Sequence, residues 1–412
     1  MVTYQFPPFA GSSAVQRALR FVQHLPALDW APVVLTAAPR AYEFTSDDLL
    51  GEIPRDVIVE RAFALDAARH LSLFGRYPMF LARPDKWVSW KWRAVSAGLR
   101  LIREHRPAAI WSTYPIATAH LVAAELHRRS GLPWIADFRD PMAQDGYPAE
   151  PKTWKSFKKI EEEAIQNAAR CVFVTPSALR MYRERYAEVD SSRLVMIENG
   201  YDEESFAAAE ASVARRRDPL RSGGVTLVHS GIVYPSERDP THFLAALRRL
   251  KQQGIGQGDG LKVRFRAAVH EQHLRSLASR HGVEDLVEIA PVLPYRDALE
   301  EMLRADALIV MQNSNCNEQI PAKVYEYLRA KRPVLGLTDP AGDTADLLRR
   351  AGFTMIARLD SVDEIAGALT RLLADLSAGT SERPEPAYVE RASRRSRSRE
   401  LASLLDQVAA QR

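Results

Sequence analysis

The chain has 412 residues, 46% of them apolar and 26% charged, with a formal net charge of +4. That is ample apolar material for two buried cores, and it excludes a disordered, collagen-like or disulfide-stapled chain. Cys171 and Cys316 lack metal-ligand spacing, no apolar run is long enough to span a bilayer, and Met1–Pro8 has no basic stretch followed by an apolar one, so a cytoplasmic chain is expected.

Short apolar runs alternate with helical patterns. In the first half, strands are expected at Val33–Thr36, Val57–Glu60, Ala108–Ser112, Trp134–Phe138, Cys171–Thr175 and Leu194–Ile197. Helices are expected between them at Ser13–His24, Trp90–Glu104, Ala117–Arg129, Thr153–Ala168 and Ser177–Tyr186. One further strand should precede Phe6-Pro7-Pro8. Only Met1–Gln5 remain to form it, so it is either very short or begun upstream. The second half repeats the alternation. Strands are expected at Val225–Ser230, Lys262–Ala268, Val287–Ala290, Ala307–Met311, Pro333–Leu337 and Thr354–Ala357. The matching helices are expected at His242–Gln252, Glu271–His281, Ala298–Arg304, Pro321–Ala330, Thr344–Ala351 and Val362–Leu376. Buried strands separated by helices predict an α/β chain with two doubly wound, Rossmann-like domains, parallel in sheet and covered on both faces. Such domains hold ligands at the carboxyl ends of their strands, here in a cleft between the two. The expected division is a first domain over 1–205, a charged, Ala-rich linker over 206–224 ending in Ser222-Gly223-Gly224, a second domain over 225–385, and a terminal helix over 386–412.

The most informative segment is Cys316–Leu337. A polar loop, Gln312–Ile320, follows the strand at Ala307–Met311, and Pro321 suits the first position of a helix. A helix N-terminus at a strand's carboxyl end is an anion site, because its free N–H groups and dipole point at the ligand. Lys323 adds a positive charge in the first turn, and Glu326 follows on the same face, where a carboxylate can accept two hydrogen bonds from a ribose diol. The plainer reading is a surface ion pair between Lys323 and Glu326.

Glu318 and Glu326 are separated by seven residues, and Pro-x-Lys-x-Tyr-Glu-Tyr-Leu is followed by Arg-Pro-Val-Leu. This resembles the Glu-x7-Glu motif of GT-B glycosyltransferases, family 4, in a bacterial branch that builds polysaccharides. The resemblance implies Glu326 on the donor ribose and Glu318 near the donor sugar. Where the common family form continues Glu-Gly-Phe-Gly, this chain has Glu318-Gln319-Ile320-Pro321. Lys323 is accordingly assigned part of the charge neutralisation. A second stretch, Ser112-Thr113-Tyr114-Pro115 through Trp134-Ile135-Ala136-Asp137-Phe138-Arg139-Asp140-Pro141, resembles the same branch.

Other segments fit this frame. Gly231, after the first strand of the second domain, permits close backbone approach to a phosphate, and Arg238 can fork onto it. Otherwise Gly231 serves turn geometry and Arg238 is a solvated charge. Gly11, Ser12 and Ser13 open a helix that faces the diphosphate or the acceptor, with a serine N-cap as the structural alternative. Thr113, Tyr114, Asp137, Arg139 and Asp140 end two strands and are the acceptor-side candidates. Arg139 held between Asp137 and Asp140 as a fold-stabilising bridge is the other reading. His120, two turns into a helix, is assigned to packing or to solvent rather than to catalysis. Arg76–Arg103 interleaves Tyr77, Phe80, Trp87, Trp90 and Trp92 with basic residues, a pattern for an anionic membrane surface or for tryptophans packed on the domain. The arginines of 391–399 are open to anionic lipid or to water.

The implied activity is transfer of a sugar from a nucleotide-sugar donor to an acceptor hydroxyl, with retention, in polysaccharide or glycoconjugate synthesis. Arg238, Lys323 and Glu318 are the catalytic candidates. Gly11, Ser12, Gly231, Arg238, Lys323 and Glu326 are the donor-binding ones. The expected partners are a nucleotide sugar, a carbohydrate or lipid-linked acceptor and an anionic membrane at the cytoplasmic face of the inner membrane. No nucleic acid, cofactor or metal is expected. A sugar-nucleotide epimerase of the same fold and a non-catalytic sugar-nucleotide or polysaccharide-binding protein are the alternatives.

Overall fold

The computed structural model describes residues 1–10, 14–74, 76–216, 220, 223–255 and 260–410. It divides into two compact units, one of Met1–Asn199 with Arg394–Arg412, the other of Gly200–Ser393. The candidates Gly11 and Ser12, with Ser13, lie outside the described residues.

The first unit runs α1 (Ala14–His24), β1 (Val33–Ala37), β2 (Ile58–Ala62), the single turn α2 (Ala67–His70), α3 (Trp90–His105), β3 (Ile110–Thr113), α4 (Ala117–Ser130), β4 (Trp134–Arg139), α5 (Pro151–Asn167), β5 (Arg170–Phe173), α6 (Pro176–Arg185) and β6 (Leu194–Met196). The strands pair in parallel as β1–β2 and as β3–β4–β5–β6. Residues 1–3 join the two sets. Val2 bridges Leu35 on one side and Ser112 on the other, its N–H donating to the Trp111 carbonyl at 2.7 Å while Leu35 N–H donates to Met1 at 2.8 Å. Counted as the first strand, this segment gives seven strands in the doubly wound order 3-2-1-4-5-6-7. Helix starts follow local chemistry: Glu150 accepts from the N–H groups of Lys152 and Thr153 ahead of Pro151, and Thr175 caps α6 ahead of Pro176.

The second unit runs α7 (Glu203–Arg216), β7 (Val225–Ser230), α8 (Thr241–Gln252), β8 (Leu261–Arg266), α9 (Glu271–His281), β9 (Val287–Ala290), α10 (Tyr295–Arg304), β10 (Ala307–Met311), α11 (Lys323–Ala330), β11 (Val334–Leu337), α12 (Asp343–Arg350), β12 (Ile356–Ala357), α13 (Val362–Ala378) and α14 (Pro386–Arg391). Its parallel sheet has the order β12-β11-β10-β7-β8-β9, again doubly wound, with the switch point between β7 and β10. One face packs Phe243, Leu247, Leu369 and Leu372; the other packs Phe206, Tyr325, Tyr327 and Leu347.

The linker expected over 206–224 begins instead as packed helix. Phe206 and Ala209 of α7 are fully buried, Val213 packs against the same cluster, and Arg329 of α11 forks onto Glu203 and Glu210 at 2.7 Å each. Phe206, Ala209 and Val213 share one helical stripe, so apolar burial holds this segment to the second unit. After α14 the chain enters α15 (Arg394–Ala410), whose Leu401, Leu404, Leu405 and Val408 join the first-unit cluster of Leu19, Val22 and Trp111.

Candidate functional site

In the second unit, the carboxyl ends of β7 and β10 flank the switch point. β7 ends in His229-Ser230, and the chain turns at Gly231 with φ +117°. That dihedral suits glycine, and space demands it too: a Cβ there would stand 2.7 Å from Lys323 Nζ. The Lys323 ammonium thus lies directly against the Gly231 backbone.

His229 is fully buried beside it. Its Nδ1 lies 2.9 Å from the Ile309 carbonyl, which can only accept, so Nδ1 carries the proton and Nε2 is an acceptor. Lys323 Nζ is 3.4 Å from that Nε2. Burial, then the charges of Lys323 and Arg238, hold the imidazole well below its usual pKa. Burial and Arg238 do the same to the Lys323 ammonium, and Glu326 pulls the other way. Two cations therefore share a poorly solvated place with one carboxylate nearby, an arrangement that pairs with a ligand anion.

The surrounding groups are braced. Arg238 Nη1 donates to the Ile232 carbonyl at 2.9 Å, and its guanidinium lies 5.3 Å from the Tyr234 ring centre. Glu326 is half-buried and accepts from the Tyr295 hydroxyl at 3.0 Å. Ser230 N–H donates to the Tyr327 hydroxyl at 2.9 Å, tying α11 to the end of β7. In the loop after β10, Gln312 is buried and donates to the carbonyls of Cys316 and Gln319 at 2.7 and 2.9 Å. Asn317 donates to Asp339 at 2.6 Å. Glu318 stands half-buried on this braced loop. The helix starts at Lys323, so Pro321 precedes it by two residues rather than opening it; Val324 N–H already closes onto the Pro321 carbonyl at 2.9 Å. Gly231, Arg238, Lys323 and Glu326 are thus gathered at one switch point. Lys323 and Glu326 are not a plain surface pair, since the half-buried Lys323 sets its amine against His229 and Gly231.

The acceptor-side candidates are sorted differently. Asp137 does not present an open carboxylate. It is fully buried and forked by Arg17, Nε to Oδ2 at 2.9 Å and Nη2 to Oδ1 at 2.8 Å. Thr113 is committed to the same carboxylate at 2.8 Å. Arg17 also donates to the carbonyls of Ile197 and Glu198 at 2.9 Å each, so one guanidinium joins α1, β4 and the exit of β6. The bridging arginine is therefore Arg17 and not Arg139. Sequence reasoning missed Arg17, along with His229, Tyr295 and Gln312. The one available signal for Arg17 was its place within an otherwise apolar helical stripe.

Arg139 has a separate role in the backbone. The β4–β5 register shifts between Asp137 and Arg139, Arg139 adopts φ +54°, and Asp140 N–H closes onto the Phe138 carbonyl at 2.5 Å. A non-glycine residue held there costs on the order of 1–3 kcal/mol. Burial raises the Asp140 carboxyl pKa, partly offset by Arg139. Tyr114 is buried, its hydroxyl near Tyr147 and Asp140. His120 packs as expected, fully buried with Nδ1 2.8 Å from Ser112 Oγ, which accepts from Trp134 at 2.7 Å. Burial lowers its pKa to about 4. A cavity of about 290 Å³ in this unit, lined by Leu25, Trp30, Leu101 and Trp111, lies at the amino ends of β1 and β3, away from the ligand-binding ends of a doubly wound sheet.

Residues 13–200 match the family described as glycosyl transferase 4-like domain. The chain carries a glycosyl transferase 4-like domain. Its two Rossmann-like units are those of the GT-B glycosyltransferases: the glycosyltransferase of Rickettsia africae superposes over 98% of both chains with a TM-score of 0.65 at 12% identity. HepE of Anabaena, solved in complex with UDP and glucose, covers 99% of this chain and 100% of its own, with a TM-score of 0.64 at 13% identity. A D-inositol 3-phosphate glycosyltransferase of Kribbella flavida is 24% identical over 268 residues, which are 61% of this chain and 58% of that protein. The glycosyl transferase 4-like match thus covers most of the first unit, and the candidate donor residues lie in the second.

Proposed function

We propose that this chain transfers a sugar, with retention, from a nucleotide-sugar donor to an acceptor hydroxyl in the assembly of a cell-surface polysaccharide or glycoconjugate. The observation that carries this reading is the Lys323 ammonium lying against Gly231 at the β7–β10 switch point, with Arg238 beside it. The departing nucleoside diphosphate develops charge as the glycosidic bond breaks, and preorganised cations in a dry site stabilise that charge at little reorganisation cost. Lys323, Arg238 and the first N–H groups of α11 meet the pyrophosphate. Glu326, oriented by Tyr295, accepts from the ribose diol, and Glu318 lies toward the donor sugar. HepE, of the same fold, is named as binding UDP and glucose, which supports a UDP-type donor. This reading assigns the neutralisation to side chains and uses no metal.

A lipid-linked acceptor at the cytoplasmic face of an anionic membrane belongs to the same reading. Among the described residues no helix is long and apolar enough to cross a membrane. The stretch after β2 nevertheless exposes Leu73, Phe74, Met79 and Phe80, with Trp92 beyond them and Arg76 and Lys91 nearby, a mixture suited to an anionic interface. Trp90, by contrast, is buried, and Arg397 is spent on Glu198 at 2.5 Å.

Thermal shift of the full chain with UDP-, GDP- and ADP-sugars tests the donor assignment. A bound donor at about 100 times its Kd adds roughly 2.7 kcal/mol to stability. The matching sugar nucleotide should raise Tm in the wild type and not in Glu326→Ala. No shift with any of them would overturn the reading, and product analysis with acceptor present separates transfer from epimerisation.

A further inference from the structure

We propose that Arg139 receives an anionic group of the acceptor, a phosphate ester or a carboxylate, at the carboxyl end of β4. This deepens the transferase reading by naming the acceptor's chemical class, and it rests on that reading only for the word acceptor.

Three observations converge. The backbone is bent to make this position: the β4–β5 register breaks after Asp137, and a three-residue turn is centred on Arg139 at φ +54°. Such a conformation disfavours any side chain with a Cβ, so the arginine is held there at a cost in backbone strain. Next, the guanidinium has no hydrogen bond or ion pair among the described residues, and its Nε is shielded from solvent without a partner. Other arginines with shielded nitrogens have at least one bond or ion pair: Arg17 with Asp137, Arg20 with Glu52, Arg61 with the Pro7 carbonyl, Arg83 with Glu150, Arg266 with Glu301 and Arg329 with Glu203 and Glu210. Third, the acids within reach do not serve it. Asp137 is taken on both oxygens by Arg17, and Asp140, although adjacent, forms no ion pair with it.

A planar guanidinium with parallel N–H donors matches the two oxygens of a phosphate or carboxylate. The exposed Tyr147 and the hydroxyl of Tyr114 stand by the same strand ends and can add donors to a sugar ring. A neutral acceptor would leave the Nε–H unpaired, and the site would then discriminate against anions' neutral analogues.

The test uses the full chain in the Lys323→Ala background, which weakens the donor-side anion site. Inorganic phosphate, glucose 6-phosphate, glucuronate and glucose are titrated calorimetrically at fixed ionic strength. We expect phosphate or one of the anionic sugars to bind, and glucose at least tenfold more weakly. Adding Arg139→Gly should cut anion affinity at least tenfold while leaving Tm unchanged or raised, because glycine tolerates the turn. Arg139→Lys should restore part of the affinity. Preference for glucose 6-phosphate or for glucuronate tells which anion the acceptor carries. Anion binding that survives Arg139→Gly, or is absent once Lys323 is removed, overturns the proposal. The donor reading is judged separately, by whether Lys323→Ala itself loses sugar-nucleotide binding.

Discussion

Removing Arg17 should unfold the first unit far more readily than it changes any binding constant. Arg17→Met keeps most of the side-chain length and leaves Asp137 as a carboxylate with no solvent exposure and only Thr113 to satisfy it. Breaking one partner of such a buried pair costs about 3–5 kcal/mol, because the remaining charge is left uncompensated. Two carbonyl bonds from Arg17 at 2.9 Å are lost as well, which places the expected cost at the upper part of that range. The double variant Arg17→Met, Asp137→Leu removes both charges and should recover most of the loss, since replacing a buried pair with apolar groups is often near neutral. Urea unfolding of the full chain, with the transition of each unit followed separately, measures this. A loss below about 1 kcal/mol in Arg17→Met, or no recovery in the double variant, would refute the structural role of Asp137. So would an Asp137→Asn variant whose only defect is a raised KM for the acceptor.

Other consequences are sharper on the donor side. Lys323→Ala should weaken donor binding by about 10- to 150-fold, the equivalent of one charge-assisted hydrogen bond of roughly 1.5–3 kcal/mol, measured by calorimetry. Because burial and Arg238 depress the Lys323 pKa and a bound pyrophosphate raises it again, donor affinity should fall as pH rises through the depressed value. Binding above that value should take up a proton, visible as a buffer-dependent heat that Lys323→Ala abolishes. His120, neutral in the fold with a pKa near 4 and near 6.5 when unfolded, binds its proton more readily in the unfolded state. Stability should therefore drop by roughly 3 kcal/mol as pH falls from about 6.5 to 4, and His120→Phe should flatten that slope in acid unfolding curves. Phe74→Asp together with Phe80→Asp should reduce sedimentation with anionic vesicles at low salt while leaving donor binding intact; undiminished sedimentation removes that surface from the account.

The strand ladder was legible because buried parallel strands are apolar runs that need no partner to be seen. Each of the twelve expected runs is a strand in the structure, with ends moved by at most two residues. Segment 203–216 was not legible. Its stripe of Phe206, Ala209 and Val213 holds a single large side chain, and alanine marks a core and a linker equally well. The donor cluster was half legible. Lys323 and Glu326 announce themselves by spacing on a helix, but the contact of Lys323 with Gly231 joins residues 92 positions apart and depends on a strand order that no local pattern encodes. Asp137 was misassigned for the same reason, since its partner lies 120 residues away on α1.

The two units solve one geometric problem in different ways. A parallel sheet delivers its strands to the ligand with their last carbonyls forward, so the polypeptide must turn sharply before donors can face an anion. In the second unit Gly231 makes that turn and leaves the space that a Cβ would fill to the ammonium of Lys323, so the charge arrives from α11 and not from the turning residue. In the first unit the turn is made by Arg139 itself, at a backbone angle that glycine would hold without strain. Exchange of roles is therefore asymmetric. Gly231→Ala should displace Lys323 and raise strain together, because φ +117° and a 2.7 Å contact both oppose the new methyl group. Arg139→Gly should relieve strain and cost only recognition. A protein that tolerates the second change in folding and neither change in turnover fits this division of labour; one that tolerates Gly231→Ala in donor affinity does not.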